Sequence, residues 1–394
     1  MKFSRRITGI KPSATLTLNA QAQQLREQGQ EIISLAVGEP DFSTPAHVRS
    51  AAKEAIEQGF TRYTPVPGIM ELREAVAQYF VRNYGASCNG HNTIVSNGGK
   101  QCLYNLLQCL LNPGDEVLVP APYWVSYPAM IELAGGVPVY IQTEPEQDFL
   151  LSVDRLLAKI TDKTKILLLN TPSNPTGGHY TQAQLDALVR AALDKGLFII
   201  ADEIYDQLVY LPAQPASASV LWSKFPEQIA VVNGLAKSFA MTGWRIGYCL
   251  AHEDLIKAMS KLQSQSSSNI CSVAQKAALA ALTGSWEEVA RMREAFRKRR
   301  DFAFDKVQNW PGVMCSKPQG AFYLFPKVSD LYNARIPDSG TLCSFLLAEA
   351  GVALVPGVAF GDDRCIRISY ALDEKTLGAA LDKTGAVLRK VAGM

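Results

Sequence analysis

Three short polar segments, each placed directly after an apolar run, hold the residues best suited to chemistry. After the apolar pair 94–95 comes Ser96-Asn97-Gly98-Gly99-Lys100-Gln101, and then a stretch of helical period through Leu103, Leu106, Leu107 and Leu110. A glycine turn running into a helix presents free backbone N–H groups and the positive end of a dipole, which makes an anion site. After 197–201 comes Asp202-Glu203-Ile204-Tyr205, and after 229–232 comes Asn233-Gly234-Leu235-Ala236-Lys237-Ser238, with Arg245 eight residues beyond the lysine. Taken singly, each has an ordinary reading, since most loop lysines are solvated and an aspartate after a strand commonly caps a helix. Together they supply an amine for an aldehyde, a carboxylate for a protonated ring nitrogen, hydroxyl and amide donors for a phenolate, and a helix terminus with an arginine for a phosphate. Those are the needs of a pyridoxal phosphate Schiff base.

These groups can act as one only if a scaffold gathers the ends of the apolar runs, and the alternation of elements predicts such a scaffold. Apolar runs at 94–95, 117–119, 166–169, 197–201 and 229–232 alternate with helical stretches. In an open parallel sheet, ligands bind beyond the carboxyl ends of the strands. The clearest unit is 166–169, a helix capped by Thr181 with Gln184 three residues on, a stop at Gly196, and 197–201. Upstream, Thr44-Pro45 reads as a capping hydroxyl and a first-turn proline opening a helix, and Leu72, Ala75, Val76, Tyr79 and Phe80 space a second helix that stops at Gly85. Beyond about 283 the texture changes to a long charged helix over 286–307, a strand at 321–325, a helix at 342–350, strands at 352–355 and 366–370, and a closing helix. The expectation is an α/β large domain over 46–284, with a mostly parallel sheet flanked by helices, and a smaller α+β domain formed by 1–45 and 285–394.

Composition narrows the function classes. At 394 residues the chain has room for two or three domains, and its 47% apolar and 19% charged content is that of an ordinary globular protein. With 39 Lys and Arg against 37 Asp and Glu, the net charge of +2 provides no global field for nucleic acid or an anionic membrane. The first 19 residues lack a run of seven apolar residues, and the eight cysteines form no C-x-x-C pair, so a cytoplasmic location with reduced thiols is expected. No two glycines stand two apart, no G-x-x-x-x-G-K occurs, and no serine has glycines at both minus two and plus two, which removes Rossmann, Walker and nucleophile-elbow chemistry. Four histidines, none at i, i+4, leave little material for a metal site or a histidine-based triad.

Several segments, in order over nearly the whole chain, resemble the fold-type I pyridoxal phosphate aminotransferases of class I. They are Asn174-Pro175-Thr176-Gly177, Asp202-Glu203-Ile204-Tyr205, Ala236-Lys237-Ser238-Phe239-Ala240-Met241-Thr242-Gly243-Trp244-Arg245 and Arg367-Ile368-Ser369-Tyr370. The segments Lys11-Pro12-Ser13-Ala14-Thr15 and Gly99-Lys100-Gln101 further resemble the prokaryotic type of aspartate aminotransferase, some members of which also accept prephenate.

The resemblance implies roles. Lys237 would bind the cofactor aldehyde and later shuttle a proton, and Asp202 would pair with the ring nitrogen. Asn174 and Tyr205 would donate to the phenolic oxygen, and Trp124 would stack on the ring and border the substrate. Arg245 with the amides of Gly99, Lys100 and Gln101 would hold the phosphate, joined by Tyr63 from a partner subunit, so a homodimer with shared sites is expected. Arg367, lying between Ile366 and Ile368 on a period-two strand, projects opposite to both and would grip the substrate α-carboxylate beside Gly38 and Asn174. Lys100, with Ser13 and Thr15, would meet a second carboxylate. Gly234 and Ala236 depart from the pattern, since many relatives carry hydroxyls there. The expected reaction moves the amino group of L-aspartate to 2-oxoglutarate, with prephenate use open. The rivals are an aminotransferase of aromatic or alanine specificity, a pyridoxal phosphate lyase or decarboxylase on the same fold, and a regulator retaining the domain without its activity.

Overall fold

The computed structural model describes residues 1–10 and 14–393. Among these residues the strands are β1 (Ile33–Ser34), β2 (Thr93–Asn97), β3 (Glu116–Ala121), β4 (Val137–Gln142), β5 (Thr164–Asn170) and β6 (Phe198–Asp202), followed by β7 (Ile229–Gly234), β8 (Ile246–Leu250), β9 (Tyr323–Leu324), β10 (Val352–Ala353), β11 (Val355–Pro356) and β12 (Ile366–Ser369). The large sheet has the order β2-β8-β7-β6-β5-β3-β4. All of its pairings are parallel except the two made by β8, which runs against both β2 and β7.

Side chains on these strands alternate between two cores, as a period of two requires. Leu167, Leu169, Ile199, Ala201 and Val231 face one side, under helices Ala46–Glu57, Met70–Tyr84, Gln182–Leu193 and Ser272–Thr283. Ile166, Leu168, Ile200, Ala230 and Val232 face the other, under Gly99–Leu110, Tyr127–Leu133 and Glu253–Ser266. Burial on both faces explains why the strands read as unbroken apolar runs. The capping box is present: Thr181 accepts from the Gln184 amide, and the Gln184 side chain accepts from the Thr181 amide.

The closing third builds a separate core around Phe296, Phe322, Leu324, Leu342, Leu354, Ile366, Ile368 and Leu381, between helices Glu287–Val307, Ser339–Ala350 and Glu374–Val391. The amino-terminal segment joins it: β1 pairs in parallel with β10, and Leu35 is buried there. Tyr205, Leu208 and Tyr210, which follow β6, enter the same core, so the large sheet and the smaller unit share side chains where the site lies.

Three local expectations are corrected. Helix Ala46–Glu57 starts with Pro45 as its cap and no side-chain capping bond, because the Thr44 hydroxyl donates to Ala240 O at 2.9 Å and accepts from Trp244 Nε1 at 3.0 Å. The strand expected over 321–325 is paired only at Tyr323–Leu324, since Ala321 has a left-handed φ of 56° that turns the chain away from a ladder. The run 352–355 is divided, 352–353 pairing with β1 and 355–356 with β12. Among the described residues no helix is long and apolar enough to cross a membrane, and all eight cysteines are free, with Cys271 exposed.

Candidate active site

Beyond the carboxyl ends of β5, β6 and β7 lies a cavity of about 370 Å³, lined by Gly38, Gly99, Lys100, Trp124, Asn174, Asp202, Tyr205, Lys237, Arg245 and Arg367 among others. All ten come from the sequence-predicted set. Asp202 is the last residue of β6, and Lys237 follows β7 by three residues, so strand register alone brings a carboxylate and an amine to one floor. Asn170, ending β5, supports both neighbours: its Nδ2 donates to Asp202 O at 2.9 Å and its Oδ1 accepts from the Asn174 amide at 2.8 Å.

The anion end is made by glycines. Gly98 has φ +82° and leads into helix Gly99–Leu110 with no side-chain cap, leaving first-turn amides to face the cavity mouth. A Cβ on Gly98 would overlap the Arg245 guanidinium, and a Cβ on Gly247 of β8 would overlap the backbone of Gly98 and Gly99. Strand and helix end therefore pack main chain to main chain. Arg245 is held at a left-handed φ of 58°, its two Nη atoms donating to Thr242 O at 3.0 Å and Asn97 O at 3.1 Å. Gly234 is equally constrained, since a Cβ there would meet Ile246 O at 2.8 Å, so the residue lacking a hydroxyl stands where a side chain does not fit.

Lys237 Nζ donates to Gly38 O at 2.6 Å. Burial brings its amine down to about 8, against an opposing pull from Glu39. Burial likewise pushes the Asp202 carboxyl up to about 6, opposed by hydrogen bonds from Tyr127 and the Ile204 amide. Arg367 is 3% exposed; one Nη donates to Asn174 Oδ1 at 3.0 Å and the other to Ala36 O at 2.7 Å, while its buried Nε has no partner. Its guanidinium lies 4.5 Å from the Tyr323 ring centre and 5.0 Å from that of Phe360. At the rim, Lys100 Nζ sits 4.8 Å over the Trp124 ring, its pKa lowered by burial and by Arg245.

Two predicted residues are not brought in. Gln101 turns away: its amide donates to Gly98 O at 3.0 Å, its Oε1 accepts from the Asn97 amide at 2.7 Å and its Nε2 donates to Ser267 Oγ at 2.6 Å, so it secures the turn and does not line the cavity. Tyr63 is 91% exposed in the single chain and does not line the cavity. Ser13 and the Thr15 side chain lie outside the described residues.

Tyr127 and Tyr323 escape sequence reasoning. Tyr127, 1% exposed, donates to Asp202 Oδ2 at 2.7 Å, and the Tyr323 and Tyr205 hydroxyls are 2.9 Å apart. Aromatics inside apolar elements look like core, and nothing in their spacing distinguishes them.

The cavity fits pyridoxal 5′-phosphate. A buried carboxylate that needs a cation, a buried amine with depressed basicity, an uncapped helix end beside an arginine, and a buried guanidinium with an unmet N–H are the complements of its ring nitrogen, its aldehyde, its phosphate and an amino-acid carboxylate.

Comparison with known proteins points the same way. The family described as aminotransferase class I and II matches residues 30–383. An aspartate aminotransferase of Geobacillus stearothermophilus is 44% identical over 386 residues, covering 97% of this chain and 98% of its own. An aspartate/prephenate aminotransferase of Thermus thermophilus is 45% identical over 389 residues, covering 98% of each. The solved structure of Thermus thermophilus aspartate aminotransferase with maleate superposes with a TM-score of 0.93 at 45% identity, covering 98% of this chain and 100% of its own.

Proposed function

Because the chain belongs to the class I and II aminotransferase family and is an aminotransferase, we propose that it carries the amino group of L-aspartate to 2-oxoglutarate, with pyridoxal 5′-phosphate held at Lys237. The observation that carries this reading is one cavity holding Lys237 on Gly38 O, Asp202 at the floor and the buried Arg367 on Asn174. When bound, the cofactor supplies an aldehyde for amines and a protonated ring that accepts the electron pair left as the substrate Cα–H bond breaks.

The chain's own residues do the rest. Asp202 keeps the proton on the ring nitrogen, and Tyr127 fixes one of its oxygens. Arg245 and the Gly99 and Lys100 amides bind the phosphate, while Trp124 packs against the ring. Asn174 and Tyr205 donate to the phenolic oxygen. Arg367 forks onto the α-carboxylate, which orients the Cα–H bond and holds the carboxylate against loss, disfavouring decarboxylation. Lys237 Nζ, once the substrate amine has displaced it from the cofactor, would take the Cα proton and return it on the cofactor side, as its depressed basicity favours. Lys100 at the rim meets the side-chain carboxylate. A lysine is a point charge on a flexible stem, which leaves room for prephenate as a second carboxylate-bearing substrate. The unit formed by 1–45 and 285–394 closes over the 46–284 unit and excludes water. Tyr63 completes the phosphate site of a second copy in a homodimer, and the enzyme works in the cytoplasm.

The test is a half-reaction. Holoenzyme mixed with aspartate and no acceptor should release one equivalent of oxaloacetate per site, with matching loss of the cofactor's visible band. Continuous release of ammonia with fumarate, or of carbon dioxide with alanine or β-alanine, would overturn the assignment.

A further inference from the structure

The smaller unit contributes one side chain that touches both halves of the site. Tyr323 lies on β9, whose register sets it opposite Ser369 of β12, two residues from Arg367. It is 1% exposed and lines the cavity. Its hydroxyl is 2.9 Å from Tyr205 Oη, and its ring carries the Arg367 guanidinium at 4.5 Å. It also explains Gly38 anew, because a Cβ on that residue would come within 2.8 Å of the Tyr323 hydroxyl.

A phenol has one proton to donate and can also accept. With Tyr205 donating to the cofactor's phenolic oxygen, its own oxygen must accept, and Tyr323 is placed to give that bond. Burial raises both phenols and the Arg367 guanidinium opposes the rise on each, so both keep their protons; either hydroxyl can donate across the 2.9 Å contact, and with the Tyr205 proton committed to the cofactor the donor is Tyr323. Donors in series polarise one another and strengthen the terminal bond.

We propose that Tyr323 is a positioning residue for the transfer reaction, its hydroxyl strengthening Tyr205 as a donor and its ring face seating Arg367 for the substrate α-carboxylate. This rests on the function proposed above. Phenolic donor and carboxylate clamp thus share one support, delivered by the unit that holds Arg367.

The test uses holoenzyme and separates the two contacts. Tyr323→Phe removes one oxygen and keeps the ring. The pH midpoint of the bound cofactor's visible absorbance should rise by about half a unit, less than in Tyr205→Phe, because a weaker donor leaves the phenolic oxygen and its neighbouring nitrogen more basic. KM for aspartate should stay within about twofold, since the cation–ring contact survives. Tyr323→Leu removes the ring and should raise that KM about tenfold, as expected for loss of a desolvated cation–ring contact. Where Tyr323→Leu fails to fold, Tyr323→Met takes its place. An unmoved midpoint in Tyr323→Phe, or an unmoved KM in the ringless variant, overturns the proposal. A wild-type protein that develops no cofactor absorbance on reconstitution overturns the reading of the site itself, which is a different result from variants that match an active wild type.

Discussion

Lys237 and Asp202 sit in one cavity, and burial moves them in opposite senses along the pH axis: the amine falls to about 8 and the carboxyl rises to about 6, since a dry environment penalises whichever form is charged. With its folded pKa below the unfolded value, Lys237 binds fewer protons in the native apoprotein than in the unfolded chain between pH 8 and the ordinary lysine range. Its burial penalty is therefore full below about 8 and relieved above. Labelling of Lys237 in apoprotein by an amine-reactive ester, followed by peptide mass mapping, should rise with a midpoint near pH 8, and a midpoint above 10 would contradict this. Asp202 gives the mirror case. Below about 6 the carboxyl of the empty site is protonated, and pairing with a protonated ring nitrogen must release that proton. Affinity for pyridoxal phosphate should then weaken about tenfold per pH unit on the acid side. In Asp202→Asn that component of the pH dependence should vanish, with affinity at neutral pH down by about a hundredfold or more, because a buried charge partner worth about 3 to 5 kcal/mol is gone. Fluorescence titration of the apoprotein across pH 5 to 8 reads both effects.

The elements that aim these groups were legible where their patterns were periodic. The period of two places Arg367, between two isoleucines, on the opposite face, and it is buried on the cavity while Ile366 and Ile368 enter the core. Two strands of the large sheet gave no usable signal. β4 contains Pro138, which argues against a strand, and is tolerated because β4 is an edge. β8 begins directly after the turn at 242–245 and runs antiparallel, outside the strand-helix-strand rhythm. Yet β8 decides how the anion end is built, since its Gly247 admits the Gly98-Gly99 backbone. Gly247→Ala should lower stability by roughly 1 to 3 kcal/mol, as overpacking does, and weaken cofactor affinity as the helix end is pushed from Arg245. Gly243→Ala is the control, because a Cβ there meets nothing within 4 Å. Equal behaviour of the two variants in denaturant melts and cofactor titrations would contradict the packing argument. Gln101 marks the limit of reading a helix terminus from sequence: the glycines were right, but which residues line the cavity depends on a side chain folding back on Asn97 and across to Ser267.

In the molecule as a whole, the segment from Gly38 to Pro45 straps the two units together. Gly38 O holds Lys237, Glu39 accepts from Thr242 at 2.9 Å, Asp41 takes both Nη atoms of Arg299 at 2.7 and 2.9 Å, and Thr44 ties to Ala240 and Trp244. The described residues that line the cavity all come from one chain, whereas Tyr63 stands apart from it as a bare aromatic at 91% exposure. In the proposed homodimer that hydroxyl would reach the phosphate of the other copy, and mixing distinguishes this from a tyrosine serving its own chain. Lys237→Ala lacks the amine, while Tyr63→Phe lacks only the hydroxyl and should bind cofactor more weakly. In a heterodimer, one site combines an intact Lys237 with an intact Tyr63 from across the two-fold, and the other site carries both changes. Random reassortment should therefore restore about a quarter of wild-type activity at limiting cofactor, since half the dimers are mixed and each has one whole site. If Tyr63 served its own subunit, no site in the mixture would be whole, and activity would stay at the average of the two variants.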